Sequence, residues 1–475
     1  MTIADRNTRN LIIAFSAITV ISVVAGMAGN WYFLLGIPAL ALYAYLAVVD
    51  FKQLFFLLMA CLPITVEVWL PNGTVTDIPT EPMMVSLMGI YLLYVLRNGA
   101  TMKAGFLRHP ITMLLLLHMA WMFFTVLTSQ AFVVSLKWFL AKCWYVTTFY
   151  FLAGSILRSE KDLKKVLWVV LPPLLLTVVY VTVRHAAYGF SFAEVYKVMH
   201  PFYRNKVMYA CMLVVFMPFV WYGLTWYRRY SFAWFFLVFA LVLMLVGVQF
   251  SYTRAAYVSL VLAAGAYYVI KWRLMNPAIG FAAIGAVLFI ASQLQDRHWL
   301  DEKPVYEKTI TYDRFEDLLS ATTKGQDVST MERVYRWVAG GHMVAERPLT
   351  GFGPGTFTTF YKSYTVAGFR TYVSENKEGS GIHCYYLQTL VDQGFPGALL
   401  FILLVVVVLL KAESVYHKSS SPERKRVVLM VALTTVVIDS LLLMNDLVET
   451  DKVGSFFFLS MAVIVNMDLE ERKEG

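Results

Sequence analysis

Charge is scarce in this 475-residue chain: Asp, Glu, Lys and Arg make up 15% of it, against 59% hydrophobic residues. A soluble domain carries about a quarter charged residues, so this composition excludes one, and the mean hydropathy of +0.62 agrees. Cysteine is also sparse. The four, Cys61, Cys143, Cys211 and Cys384, have no paired spacing, which leaves neither a disulfide framework nor a zinc site. No internal repeat is visible, which weakens the case for a transporter built from two inverted halves.

What the chain has instead is long apolar runs. Windows long enough to cross a hydrocarbon layer of roughly 30 Å recur along its whole length, and at that length only helices satisfy the backbone in lipid. The expected fold is therefore an all-α polytopic membrane protein. About fourteen spans are expected, at 11–28, 31–49, 53–70, 82–96, 111–128, 131–157, 165–183, 207–226, 232–250, 254–270, 277–293, 385–410, 426–444 and 453–467. The third, fourth and last are short, so one of them could be re-entrant. The first lacks a small-residue cleavage site and is expected to stay as a span.

The basic residues set an orientation, because Lys and Arg concentrate in cytoplasmic loops. With Arg6 and Arg9 inside, the inner loops collect Lys52, then Arg97, Lys103 and Arg108, then Arg158, Lys161, Lys164 and Lys165, and so on to Arg472 and Lys473. Both termini are expected in the cytoplasm. The net charge of +9 is thereby explained by topology, and nucleic acid is not an expected partner. Three parts follow: helices one to eleven over 1–293, a large outward loop with short helices over 294–384, and three more helices with a short cytoplasmic tail over 385–475.

Inside the loop, Met331 to Ala345 reads as a helix, with an apolar stripe at Val334, Trp337, Val338 and Met343 and with Arg333 and Arg336 together on another face. Pro348 and the glycines at 351, 353 and 355 end it. The Gly351-Phe352-Gly353-Pro354-Gly355 run lacks the strand, helix and lysine of a nucleotide loop, and is expected to let the backbone pass closely over helix ends. A second outward segment, Arg184 to Lys206, mixes aromatic and basic residues as an interfacial segment does, and is expected to border a site.

Ionisable groups at membrane depth cost several kcal/mol unless paired or solvated, so each is a candidate. Lys137, Lys142, Glu67, Asp392, Asp439, Asp446 and Glu449 all fall toward the outer leaflet; the plain alternative is that the lysines snorkel and the acids pair with them. Arg254, in Ser251-Tyr252-Thr253-Arg254-Ala255-Ala256, stands on the side that positive-inside placement disfavours and could offer a guanidinium fork to phosphate, or anchor its helix to lipid. Arg204 has a similar position. His383, at the mouth of an apolar helix, could act as a general base on a hydroxyl, or be structural. No partner ligands accompany it at metal spacing.

These motifs, in this order, resemble the O-antigen ligase and polymerase superfamily of bacterial envelopes. The residues that carry the resemblance are Thr253-Arg254, Arg333-Val334-Tyr335-Arg336-Trp337, the Pro348 to Phe357 run, and His383-Cys384-Tyr385-Tyr386-Leu387 leading to Asp392-Gln393-Gly394 and Gly397. It covers about residues 200 to 467. It departs from the family at Cys384, where Asn is common, and at Asp392, where Glu is usual.

The resemblance implies a glycosyltransferase-C-like helical fold in the bacterial inner membrane, with a periplasmic site. It implies transfer of a glycan from an undecaprenyl-diphosphate carrier to an acceptor hydroxyl, with inversion and with neither cofactor nor metal. By position, Arg254 and one of Arg333 and Arg336 would bind the diphosphate, His383 would assist the attacking hydroxyl as base, and Asp446 would stand near the acceptor. From their place in the chain alone, Arg204 is a further candidate for the diphosphate and Lys142 a further candidate for substrate contact. The acceptor would be lipid A-core for a ligase or a growing glycan for a polymerase. The alternative from another class is a transporter or flippase of an anionic lipid or lipid-linked glycan.

Overall fold

The computed structural model describes residues 3–29, 34, 36–69, 75–99, 104–295, 327–376 and 379–474. Part of the expected outward loop, 296–326, and the inner-loop Lys103 lie outside the described residues.

The first helices are α1 (Ile3–Ala28), α2 (Ile37–Val49) and α3 (Phe51–Cys61). Here the expected third span, 53–70, is corrected. Helix α3 stops at Cys61, a tight turn takes Leu62–Ile64, and strands β1 (Val66–Trp69) and β2 (Val75–Ile78) pair antiparallel with Val66 opposite Ile78. The reason is local: Pro63 cannot donate to a continuing helix, and the β-branched Thr65, Val66 and Val68 that follow favour an extended chain.

Then come α4 (Thr80–Asn98), a short α5 (Ala104–Leu107), α6 (Pro110–Leu127), and α7 (Phe132–Tyr145), which runs through a wider turn over Val146–Leu152 into α8 (Ala153–Ile156). Next are α9 (Glu160–Ala186), α10 (Val195–Met199), α11 (Lys206–Gly223), α12 (Phe232–Ser251), α13 (Arg254–Lys271) and α14 (Met275–Leu294). After the long connection lie α15 (Val328–Glu346), a single turn α16 (Phe357–Phe360), α17 (Tyr385–Lys418), α18 (Pro422–Leu442) and α19 (Asp451–Glu474).

Among the described residues, eight helices are long and apolar enough to cross a membrane: α1, α6, α9, α11, α12, α14, α17 and α19. Two shorter apolar helices, Ile37–Val49 and Phe51–Ile64, add to them. This is an all-α polytopic membrane protein apart from the one hairpin.

Helices α11, α18 and α19 form the centre, where nearly every residue is buried. Lipid tails are as apolar as the core, so their association rests on close packing: Phe216 and Phe219 stack at 5.3 Å, and Phe456 of α19 meets both edge-on. At the periphery, α12 leaves Phe235, Phe239, Val242 and Leu245 exposed in one stripe, a face suited to lipid.

A second core caps one end of the bundle. Tyr335, Ala339 and Met343 of α15 pack with Phe352, Phe357, Tyr361, Phe369, Ile382 and Val391. Its attachment to the bundle depends on a break in α17. Gly394 has φ 67° there, and the Gly-rich run docks against the break: Phe352 and Gly353 donate their N–H groups to the carbonyls of Val391 and Asp392 at 2.9 Å, and Phe395 donates to Pro348 at 2.8 Å. A Cβ on Gly351 would stand 2.5 Å from the carbonyl carbon of Asp392, and one on Gly394 would stand 2.3 Å from the oxygen of Leu349. The glycines are therefore architecture: they permit a backbone contact that any side chain would block.

Candidate functional site

The α15 helix brings the arginines to this end. Asp327 caps it, accepting hydrogen bonds from the Thr330 N–H at 3.0 Å and hydroxyl at 2.6 Å. Arg254, the first residue of α13 after the left-handed corner at Tyr252, donates to the same carboxylate at 2.7 Å. Burial pushes the Asp327 carboxyl up, but the bonds from Thr330 and Arg254 and the charge of Arg254 outweigh it and hold it below the ordinary range. Arg254 thus joins a bundle helix to α15.

Two turns along α15, the expected arginine pair divides. Arg336 is buried, donates to the Gly381 carbonyl at 3.3 Å and pairs with Glu332 at 3.3 Å. Among the described residues, Arg333 bonds only within its own helix, through Nη1 to Ser329, and its Nε, like that of Arg336, is buried with no hydrogen-bond partner. Burial and the neighbouring Arg254 lower the affinity of Arg333 for its proton, a strain that an anion would relieve.

Trp337 donates to the Ile382 carbonyl at 3.0 Å, so Arg336 and Trp337 together fix the chain just before His383. His383 itself adopts φ 58°, in the left-handed region, and turns its ring toward the connection after α18. Its Nδ1 stands 3.6 Å from Asp446 Oδ1, and 30% of the His383 side chain stays open. Burial, then the charges of Arg333 and Arg336, depress the imidazole to a pKa of about 3, so it is neutral at physiological pH. Burial, with the nearby Glu449, raises the Asp446 carboxyl above the ordinary range.

These groups share a cavity of about 380 Å³. Arg204, Arg333, His383 and Asp446 line it, with Asn205, Gln388 and Asn445 as neutral polar groups and Trp138 as an aromatic wall. A lining of polar groups beside an aromatic wall can meet a ligand that is polar on its edges and apolar on its faces. Among the described residues, no group of three or more His, Cys, Asp or Glu side chains could hold a metal ion.

Of the residues singled out in the sequence, four therefore meet in one cavity: Arg204, Arg333, His383 and Asp446. Three stand behind or beside it. Arg254 holds Asp327, Arg336 holds Gly381, and Lys142 is buried against Tyr385 and Glu449. Asp392 is engaged in the Gly-loop contact, where Oδ2 accepts from the Gly355 N–H at 3.0 Å. Asp439 is buried with neither carboxylate oxygen bonded among the described residues.

Sequence reasoning passed over Trp138, Asn205 and Gln388. Trp138 carried a signal, since it lies four residues before Lys142 on one helical face. Asn205 is the residue that caps α11, its side chain accepting from the Met208 N–H at 2.9 Å, and Gln388 lies one turn into α17; nothing in the sequence alone distinguishes either from an ordinary helix-end residue.

The fold and the site define a polytopic membrane protein with a basic, histidine-bearing cavity at one end of its bundle. The model of the O-antigen ligase family matches residues 239–402, the stretch from α12 through the Gly-rich run into α17 that carries Arg254, Arg333, Arg336 and His383. The chain therefore resembles the O-antigen ligase and polymerase superfamily of bacterial membrane proteins, and ligase- or polymerase-type glycosyl transfer is the activity this supports. No curated protein matches the chain.

Proposed function

We propose that this protein transfers a glycan from an undecaprenyl-diphosphate carrier to an acceptor hydroxyl at the periplasmic face of the bacterial inner membrane, with inversion and without metal or nucleotide sugar. The observation that carries this reading is the meeting of Arg204, Arg333 and a neutral His383 in one cavity.

The donor is already activated, so the protein has two tasks: to hold the leaving diphosphate and to place a base by the acceptor. Arg333, whose Nε has no partner among the described residues, and Arg204 take the diphosphate. The acceptor oxygen attacks the anomeric carbon, the bond from that carbon to the phosphate oxygen breaks, and undecaprenyl diphosphate leaves with the electron pair. The hydroxyl proton passes to His383. Since Nδ1 faces Asp446, Nε2 is the nitrogen left to accept it. Burial and two guanidiniums weaken this base; a bound diphosphate offsets the guanidinium charge, so the imidazole strengthens when the donor is in place.

The test incubates the purified full-length protein with undecaprenyl-diphosphate-linked glycan and either a lipid A-core or a second carrier-linked glycan, without nucleotide sugar and with EDTA. Loss of carrier-linked donor and a new glycosidic bond are expected with the native protein and not with His383→Ala. The acceptor that is consumed tells a ligase from a polymerase. Movement of the lipid-linked glycan across a vesicle membrane with no new bond would replace this reading by that of a flippase.

A further inference from the structure

Lys142 does not line the cavity. It sits one layer behind, with 3% of its side chain exposed, and its ammonium pairs with Oε1 of Glu449. It also donates to Tyr385 Oη at 2.7 Å, and Tyr385 Oη in turn donates to the same Glu449 oxygen at 2.7 Å. The rings of Tyr385 and Phe458 flank the ammonium at 5.3 and 5.6 Å.

This closed triangle joins three separate segments. Lys142 is on α7. Tyr385 opens α17, two residues after His383. Glu449 is in the connection between α18 and α19, three residues after Asp446. The His383 and Asp446 side chains are themselves 3.6 Å apart, beyond hydrogen-bond length, so their own contact does not fix them. The triangle behind them ties together the two segments that carry them.

We propose that Lys142 is a positioning residue. Through Tyr385 and Glu449 it sets the separation of His383 and Asp446, and it does not touch the donor diphosphate. The inference rests on the reading of His383 as the base. Lysine suits the task because its ammonium has three donors and no acceptor, so one buried group can hold a carboxylate and a phenol at once. Removing it leaves the Glu449 carboxylate buried without its counter-charge, while Oε2 of that group already lacks a partner among the described residues.

The experiment uses the full-length protein and two readouts. The first is the rate at which diethyl pyrocarbonate labels His383, followed by peptide mass spectrometry, with His342 and His417 as internal standards. These two are held elsewhere, by the Tyr364 carbonyl at 3.0 Å and by the Ile270 carbonyl at 2.7 Å. Lys142→Met is expected to change the His383 rate by about threefold or more with both standards unmoved. Lys142→Met combined with Glu449→Gln, which removes the unpaired charge but leaves the triangle open, is expected to keep the rate displaced; a return to the native rate would assign the effect to the buried charge alone and overturn the proposal.

The second readout is kinetic. Lys142→Met is expected to lower kcat about tenfold or more with the KM for the carrier-linked donor unchanged, as for an interaction felt only in the transition state. If Lys142→Met does not fold, Tyr385→Phe, which deletes one hydroxyl of the triangle, is expected to shift both readouts in the same direction. A raised donor KM with kcat unchanged would make Lys142 a diphosphate ligand and overturn the proposal, as would native labelling of His383 in a folded variant. If the native protein transfers no glycan, the reading of its function falls, while the labelling still decides whether Lys142 positions His383.

Discussion

At the scale of single residues, the arginines divide between ligand binding and scaffolding, and substitution separates the two. Arg333→Ala removes charge-assisted bonds to the proposed diphosphate, each worth about 1.5–3 kcal/mol, so kcat/KM for the donor is expected to fall about 10- to 200-fold with thermal stability kept. Arg336→Ala leaves Glu332 buried without its counter-charge and frees Gly381, so it is expected to lower the melting temperature in detergent along with activity. Equal stability in the two variants would contradict this division. His383→Ala is expected to cost about 10²- to 10⁴-fold in kcat, the usual contribution of a general base, with donor affinity retained in an equilibrium binding measurement. Both arginines were legible in the sequence as a pair at three-residue spacing. Which one faces the cavity was not, because adjacent positions on a helix differ by a rotation that only the packing of α15 against its neighbours fixes.

At the scale of elements, the Gly-rich run and the broken helix α17 form one unit. Three alternating glycines after Pro348 point to a close backbone path there, but the partner of that path lies some forty residues later, at Gly394. Gly394→Ala places a Cβ in the left-handed region and against the Leu349 carbonyl. It is expected to cost more than about 1 kcal/mol in stability, read as a lower melting temperature and as easier proteolysis between 348 and 357. A native melting temperature would show that the run and the break are not coupled. The hairpin of β1 and β2 shows the opposite limit. A run apolar enough to read as a span ends its helix at Cys61, because hydropathy is blind to the missing donor of Pro63 and to the β-branched residues after it.

At the scale of the whole molecule, the site lies where bundle and cap meet, and its ionisation reflects that burial. His383, held to about 3, binds no proton in the folded protein between that value and its ordinary 6.5, while the unfolded chain does. This group therefore contributes full stability above about pH 6.5 and takes stability away as the pH falls below it. The acid limb of kcat/KM is accordingly expected to follow Asp446, whose carboxyl is raised, and in Asp446→Asn to move to lower pH, toward the titration of His383. A limb near 6.5 that survives in Asp446→Asn would show His383 titrating normally.

The sequence by itself determined the class of protein, since composition and apolar runs leave the backbone no other way to exist in lipid, and its motifs carried the family resemblance. The tertiary structure decided which charged groups meet. Arg204, Arg333, His383 and Asp446 come from segments up to about 240 residues apart in the chain, and Lys142 stands behind them and not among them. Helical periodicity places a side chain on a face; only the packing of one helix against another determines whether that face meets a cavity, a counter-charge or lipid.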